Sequence, residues 1–223
     1  MPMPAAVLWD MDGTLVDTEP YWIAAEHAIV EEAGGTWTEE LAHQLVGNDL
    51  LVSARFIRDH SPVTWEPQRI VEELLVRVIA QVRERVPWRP GAVELLADLR
   101  DADMPTALVT MSWRSLVDAV VAALPAGSFT VIVTGDEVHN GKPHPEPYLR
   151  AAELLAVPIE DCLALEDSAT GVRSAVAAGA ATIAIPHFVP VPEIAGAVPI
   201  RSLAGLGLAD LPGLAAAARH TRR

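Results

Sequence analysis

Lysine is all but missing from this chain, cysteine occurs once, and no apolar run is long enough to span a bilayer. A lone cysteine, Cys162, cannot close an internal disulfide, so stability must rest on a packed core. A transmembrane helix needs about 18 consecutive apolar residues, and neither such a run nor a secretory signal is legible. A reducing cytoplasm is the expected compartment. Positive charge is scarce: 16 Lys and Arg stand against 30 Asp and Glu, for a formal charge of −14 and a pI near 4.8. That balance repels nucleic acid and anionic membranes, so neither is expected as a partner. It also repels small anions, so an enzyme of anionic substrates would need a local cation. No internal repeat or low-complexity segment stands out.

What is present is apolar: 51% of 223 residues, enough to bury a large core. Five short strand-like runs recur, at Ala6–Trp9, Thr106–Thr110, Thr130–Val133, Cys162–Leu165 and Thr182–Ile185. Helical patterns separate the later ones, over Gly91–Asp101, Trp113–Leu124, Pro147–Leu155 and Ala169–Ala178, the last capped by Ser168 and closed by Gly179. This alternation predicts an α/β fold, a Rossmann-like three-layer core around a central parallel sheet. The first gap does not fit one crossover. From Thr18 to Val86 the chain reads as helices, ending in a long one with Ile70, Leu74, Val78, Val82 and Val86 at spacing four. Glu19-Pro20 and Pro87-Trp88-Arg89-Pro90-Gly91 punctuate its ends. The expected organisation is a catalytic core of residues 1–17 and 88–223 with an inserted helical cap of residues 18–87. Four tryptophans (Trp22, Trp37, Trp65, Trp88) fall in the insert or at its hinge, mostly as packing, with one or two facing the cleft. The ending Arg219 to Arg223 reads as a solvated tail.

The most informative stretch is Val7-Leu8-Trp9-Asp10-Met11-Asp12-Gly13-Thr14. A buried strand empties into two aspartates at period two, which share one side, and Gly13 lets the chain turn away. Two carboxylates crowded at a sheet's carboxyl edge repel each other unless a cation or proton intervenes, so a metal is implied. Thr110-Met111-Ser112 ends the second strand just before a helix, where a hydroxyl and free N–H groups can hold an anion. Lys142, fixed between Gly141 and Pro143, suits a point charge on a phosphoryl oxygen. The fourth strand ends in Glu166-Asp167-Ser168, acids that are costly there unless they hold a cation. Each feature has a plain structural reading as well: an Asp-Gly turn, a capped helix start, an exposed turn lysine.

Together these residues match, in order, the four motifs of the haloacid dehalogenase superfamily: Asp10-Met11-Asp12-Gly13-Thr14, Thr110, Lys142-Pro143 and Glu166-Asp167-Ser168. With Leu15-Val16-Asp17-Thr18-Glu19-Pro20 and the position of the insert, the chain resembles the β-phosphoglucomutase-like group with a helical C1 cap. The resemblance implies that Asp10 is a nucleophile giving an aspartyl-phosphate and that Asp12 is the acid and base. It implies Mg²⁺ held by the Asp10 carboxylate, the Asp12 carbonyl and Asp167, with Glu166 behind them acting through water. Thr110 and Lys142 would bind the phosphoryl group. Met11, Gly13, Thr14, Glu19, Trp22, Met111, Ser112, Asn48 and Leu50 are the expected substrate-binding positions.

Departures from the group bear on the substrate. Trp22 stands where β-phosphoglucomutases carry histidine. Asn48, Asp49 and Leu50 follow Gly47 where they carry an arginine, and Arg55 and Arg58 lie a turn or more away. Met111 replaces a common asparagine. The expected activity is therefore Mg²⁺-dependent hydrolysis of a small phosphorylated metabolite, a sugar phosphate in the simplest case, by a monomer or weak homodimer. A hexose-phosphate mutase and a catalytically silent binding module remain as alternatives. His144 and His187 could touch substrate or be merely exposed, His27 and His43 lack zinc-ligand spacing, and Cys162 reads as a core residue.

Overall fold

The structure, a computed structural model, describes residues 1–222. Six strands form one sheet: β1 (Ala6–Trp9), β2 (Thr106–Val109), β3 (Val131–Val133), β4 (Cys162–Glu166), β5 (Ala181–Ala184) and β6 (Ala197–Pro199). Their order is β3-β2-β1-β4-β5-β6 and every pair is parallel. Parallel sheets persist only with both faces covered, and the central strands accordingly are buried throughout. Alternation sorts their side chains. Ala6, Leu8, Ala107 and Ala164 face α7 (Glu146–Leu155) and α8 (Ala169–Ala178). Val7, Trp9, Leu108 and Leu163 join the larger core, under α5 (Ala92–Asp101), α6 (Arg114–Val121) and α9 (Leu211–Thr221). The small side chains on the first face let α7 and α8 lie close to the sheet. The expected α/β, three-layer, Rossmann-like class is what the chain adopts.

Five helices lie between β1 and β2: α5 belongs to the layer over the sheet, and the four before it are α1 (Glu19–Glu32), α2 (Glu39–His43), α3 (Leu50–His60) and α4 (Pro67–Glu84). Prolines at the first turns of α1 and α4 suit positions whose N–H groups lack partners anyway. Asp49 caps α3, accepting from the N–H groups of Leu51 and Val52, so it belongs to the helix start. The buried stripe of α4 is Ile70, Val71, Leu74, Leu75, Val78 and Val82, the predicted spacing. Asp17 N–H donates to Pro87 O and Arg89 N–H to Leu15 O, tying the outgoing and returning chain side by side next to the site.

Two expectations need correction. The sheet has a sixth strand beyond the five read from the sequence, since β6 extends it and α9 packs on it. Nor is the basic ending a solvated tail. Arg219 donates to Glu160 O at 3.0 Å, and Arg222 donates to Gly179 O and Ala180 O, both at 2.7 Å. The carbonyls at the end of α8 lack helical partners, and a guanidinium satisfies them while meeting the negative end of the dipole. Arg223 lies outside the described residues. No helix among the described residues is long and apolar enough to cross a membrane.

Candidate active site

The sheet order changes direction between β1 and β4, and a crevice opens at the carboxyl ends of such strands. Asp10 continues β1, its N–H donating to Leu165 O at 3.0 Å. Glu166 ends β4 and Asp167 follows it. Carboxylate oxygens of Asp10, Glu166 and Asp167 lie within 4.8 Å of one another. Gly13 makes room for this cluster: its φ is +88°, and a Cβ there would sit 1.9 Å from Asp167 Oδ2. Gly171, on the first turn of α8, is equally constrained, because a Cβ would meet the Glu166 carboxylate.

Lys142, the one lysine in the chain, enters from the loop before α7. Its Nζ donates to Asp10 Oδ1 at 2.7 Å, Glu166 Oε1 at 2.6 Å and Val109 O at 2.8 Å. The lysine is therefore no exposed turn residue; its side chain is 4% accessible. Burial alone would lower its pKa, but the Asp10 and Glu166 carboxylates outweigh that and hold it above the usual lysine value. Tyr148 OH also donates to Glu166 Oε1, at 2.7 Å, and Ser168 OH donates to Oε2 at 3.3 Å.

Asp10 keeps one oxygen bare. Its Oδ2 is buried without a hydrogen-bond partner. Burial, and then the Glu166 charge, push the Asp10 pKa up to about 7 against the opposing pull of Lys142. Burial, then Asp10 and Glu166, raise Asp167 well above the usual carboxylate range. A cation placed among these three would relieve both.

The Asp12 carboxylate stands apart from the cluster. Thr18 OH donates to its Oδ1, while Ser112 OH at 2.7 Å and Thr110 OH at 3.3 Å donate to Oδ2. Thr110 OH in turn accepts from Ser112 N–H at 3.0 Å. The Thr110-Met111-Ser112 turn thus holds Asp12 as well as facing the crevice. Met111 Sδ accepts from Lys142 N–H at 3.2 Å, which fixes the lysine loop to that turn.

The pocket above these groups is lined by Gly13, Glu19, Trp22, Asn48, Leu50, Met111 and Ser112 from the expected substrate-binding positions. Met11 and Thr14 do not line it. Met11 is wholly buried in the core, and Thr14 is buried as well, so the expectation that they bind substrate is not met by this pocket. Trp22 is the insert tryptophan that faces the cleft, whereas Trp37 is buried and donates to Glu26 Oε2 at 3.1 Å. His187 and Phe188 reach the pocket from the loop after β5; His144 is exposed and does not.

Glu26, Leu45, Ser53, Leu74 and Thr170 also line the pocket, and sequence reasoning missed them. For Glu26 a signal existed, since it shares a helix face with Trp22 and Ile29, and a carboxyl on an apolar stripe invites explanation. Burial, offset in part by the Trp37 hydrogen bond, pushes its pKa up to about 8.

A parallel sheet whose polar groups converge at its central switch point marks the chain as a Rossmann-like α/β enzyme. A family profile described as haloacid dehalogenase-like hydrolase matches residues 7–185, and the chain belongs to that family. It is similar to hexitol phosphatase A of Escherichia coli (strain K12), 33% identical over 190 residues covering 80% of this chain and 81% of the other. A phosphorylated carbohydrates phosphatase of Thermotoga maritima is 33% identical over 186 residues, 78% of this chain and 81% of the other. Among solved structures, a mutant of CbbY from Rhodobacter sphaeroides in complex with xylulose-(1,5)bisphosphate matches with a TM-score of 0.86 at 32% identity. That match covers 94% of this chain and 99% of the other. The resemblance read from the four motifs is borne out.

Proposed function

We propose that this chain is a cytoplasmic Mg²⁺-dependent phosphomonoesterase that releases phosphate from a small phosphorylated metabolite through a phosphorylated Asp10. The observation that carries the reading is the asymmetry of Asp10: Lys142 pins one carboxylate oxygen at 2.7 Å and the other is left unpartnered at the pocket floor. A nucleophile needs such a free, oriented lone pair. The similarity to two sugar-phosphate phosphatases supports the same reaction class.

The Asp10 carboxylate attacks phosphorus, the ester P–O bond breaks, and Asp12 gives its proton to the leaving oxygen. Asp12 then takes a proton from water, whose oxygen attacks the same phosphorus, freeing phosphate and restoring Asp10. Thr18 and Ser112 hold opposite oxygens of Asp12, which supports a fixed orientation for that group. Thr110 and Lys142 bind the phosphoryl oxygens, and Lys142 also offsets the Asp10 charge.

An oxygen-only donor set, the crowded carboxyls of Asp10, Glu166 and Asp167, fits a hard divalent cation. The Asp10 and Asp167 carboxylates and the Asp12 main-chain carbonyl would hold Mg²⁺, with Glu166 behind them. When bound, it supplies positive charge to the phosphoryl oxygens and to the crowded carboxylates. Residues 18–87 act as a cap on a core formed by residues 1–17 and 88–223, excluding water from the pocket. A monomer or weak homodimer suffices, since every group named comes from one chain.

The test is phosphate release from a panel of phosphorylated metabolites with Mg²⁺, using Asp10→Asn as the blank. Turnover by the native chain and its loss in the variant are expected. Retention of about a tenth of the rate by Asp10→Asn would refute the assigned nucleophile.

A further inference from the structure

The chemistry of the pocket beyond the phosphoryl site narrows the substrate, and the narrowing rests on the phosphatase reading above. Two carboxyl groups from α1 enter this space, Glu19 and Glu26, seven residues apart on one helix face with Trp22 between them. Neither has a cationic partner among the described residues. Glu26 is 4% exposed and takes a single hydrogen bond, from Trp37, on Oε2. The apolar lining is Trp22, Leu45, Leu50 and Leu74, and the neutral polar groups are Ser53 and Asn48.

Among the described residues the one lysine or arginine that lines the pocket is Lys142, at its floor, and Arg89 lies behind His187, 3.3 Å from its Nε2. Lys142 stands at that floor against Asp10, Glu166 and Val109 O, beside the phosphoryl site and not at the far end. His187 Nε2 faces Asp17 Oδ1 at 3.0 Å. Among the described residues no arginine lines the pocket. A second phosphate or a carboxylate on the substrate would therefore lose its hydration and meet carboxyl groups, hydrocarbon and a few neutral donors, with no countercharge. Hydroxyl groups, by contrast, can donate to Glu19, Glu26 and Asn48 and accept from Ser53.

We infer that Glu26, seconded by Glu19, is a specificity-determining residue that restricts the enzyme to phosphomonoesters whose leaving group carries hydroxyls and no second anionic group. The selection works chiefly by rejection: a substrate with a second anionic group finds no cation at the far end of the pocket and, once Glu26 is ionised, is repelled there.

The test compares kcat/KM for a hexose 6-phosphate, the corresponding 1,6-bisphosphate and a 6-phosphoaldonate at a pH above the Glu26 value of about 8, where that carboxyl is ionised, with an aryl phosphate as general reporter. The native enzyme should favour the hexose monophosphate over both compounds with a second anionic group by about a hundredfold or more. Glu26→Gln, which keeps the shape and can still accept from Trp37, should narrow that gap about tenfold. Leu50→Lys, which adds a cation on α3 without touching Glu26, should narrow it as well, and it carries the test if Glu26→Gln fails to fold. Native kcat/KM values within about threefold of one another, or gaps unmoved in the folded variants, would overturn the inference while leaving the phosphatase intact. No turnover of any compound, the aryl phosphate included, would remove the phosphatase reading and this inference with it.

Discussion

Lys142 Nζ lies 2.6 Å from Glu166 Oε1, and the Glu166 side chain is wholly shut off from water. The same Nζ reaches Asp10 at 2.7 Å, so one buried cation balances two buried carboxylates. Removing one member of such a group strands the others uncompensated, a cost of about 3–5 kcal/mol. Lys142→Met should therefore lose stability on that scale together with activity. Adding Glu166→Gln to that variant should recover much of the stability and none of the activity, because Asp10 still lacks its positioned charge. Chemical denaturation alongside phosphate release checks both. Recovery of turnover in the double variant would contradict the role given to Lys142.

Gly13 connects backbone shape to the carboxylate cluster. At φ +88° a side chain is strained, and its Cβ would lie 1.9 Å from Asp167 Oδ2. Gly13→Ala should push Asp167 out of the cluster. The Mg²⁺ concentration for half-maximal activity should then rise about tenfold or more, since displacing a ligand carboxylate costs at least one decade of affinity. A metal titration of activity reads this directly. An unchanged Mg²⁺ requirement would place Asp167 outside the metal set.

These residues also show what the sequence discloses and what it hides. Asp10, Asp12, Thr110, Lys142 and Asp167 were legible because each follows a buried strand or sits in a constrained turn, and parallel strands deliver their carboxyl ends to one edge. The local motif therefore carries its own address. Leu45 and Leu74 were hidden and Glu26 was only hinted at, since an insert residue shows at most which face it shares, and which face meets the sheet depends on tertiary packing. Leu74 illustrates this: it sits in the stripe that reads as core and is buried at 1% exposure, yet it also borders the pocket. The strand β6 was hidden for another reason. Ala197-Val198-Pro199 is short, lies at the edge and contains a proline, a pattern that on its own argues against a strand.

Glu26 gives stability a pH dependence of defined sign. Its folded pKa is raised to about 8 from an ordinary 4.5, so the folded state holds the proton more tightly than the unfolded chain. Unfolding releases a proton between those values, and the contribution to stability is full below 4.5 and is lost as pH rises towards 8. A tenfold difference in proton affinity is worth about 1.4 kcal/mol, so the effect amounts to a few kcal/mol. Glu26→Gln has no proton to lose. Its melting temperature should fall less than that of the native chain between mildly acidic and mildly alkaline buffer. Parallel slopes for the two proteins would show that the Glu26 carboxyl titrates normally.

Ser112 is a positioning residue whose effect should appear in turnover and not in binding. Its hydroxyl donates to Asp12 Oδ2 at 2.7 Å while its N–H is held by Thr110 Oγ1 at 3.0 Å, so the turn after β2 aims the proposed acid and base. Thr18, from the start of α1, holds the other oxygen. One lost hydrogen bond to a charged group is worth about 1.5–3 kcal/mol, which sets the scale of misplacement. Ser112→Ala should lower kcat about tenfold to a hundredfold with KM little changed, and Ser112→Thr should restore part of it. The loss should grow with the basicity of the leaving group, because a poor leaving group depends most on protonation by Asp12. Comparing an aryl phosphate with an alkyl phosphate separates this from a general loss of structure. An equal loss on both substrates would assign Ser112 to phosphate binding instead of proton transfer.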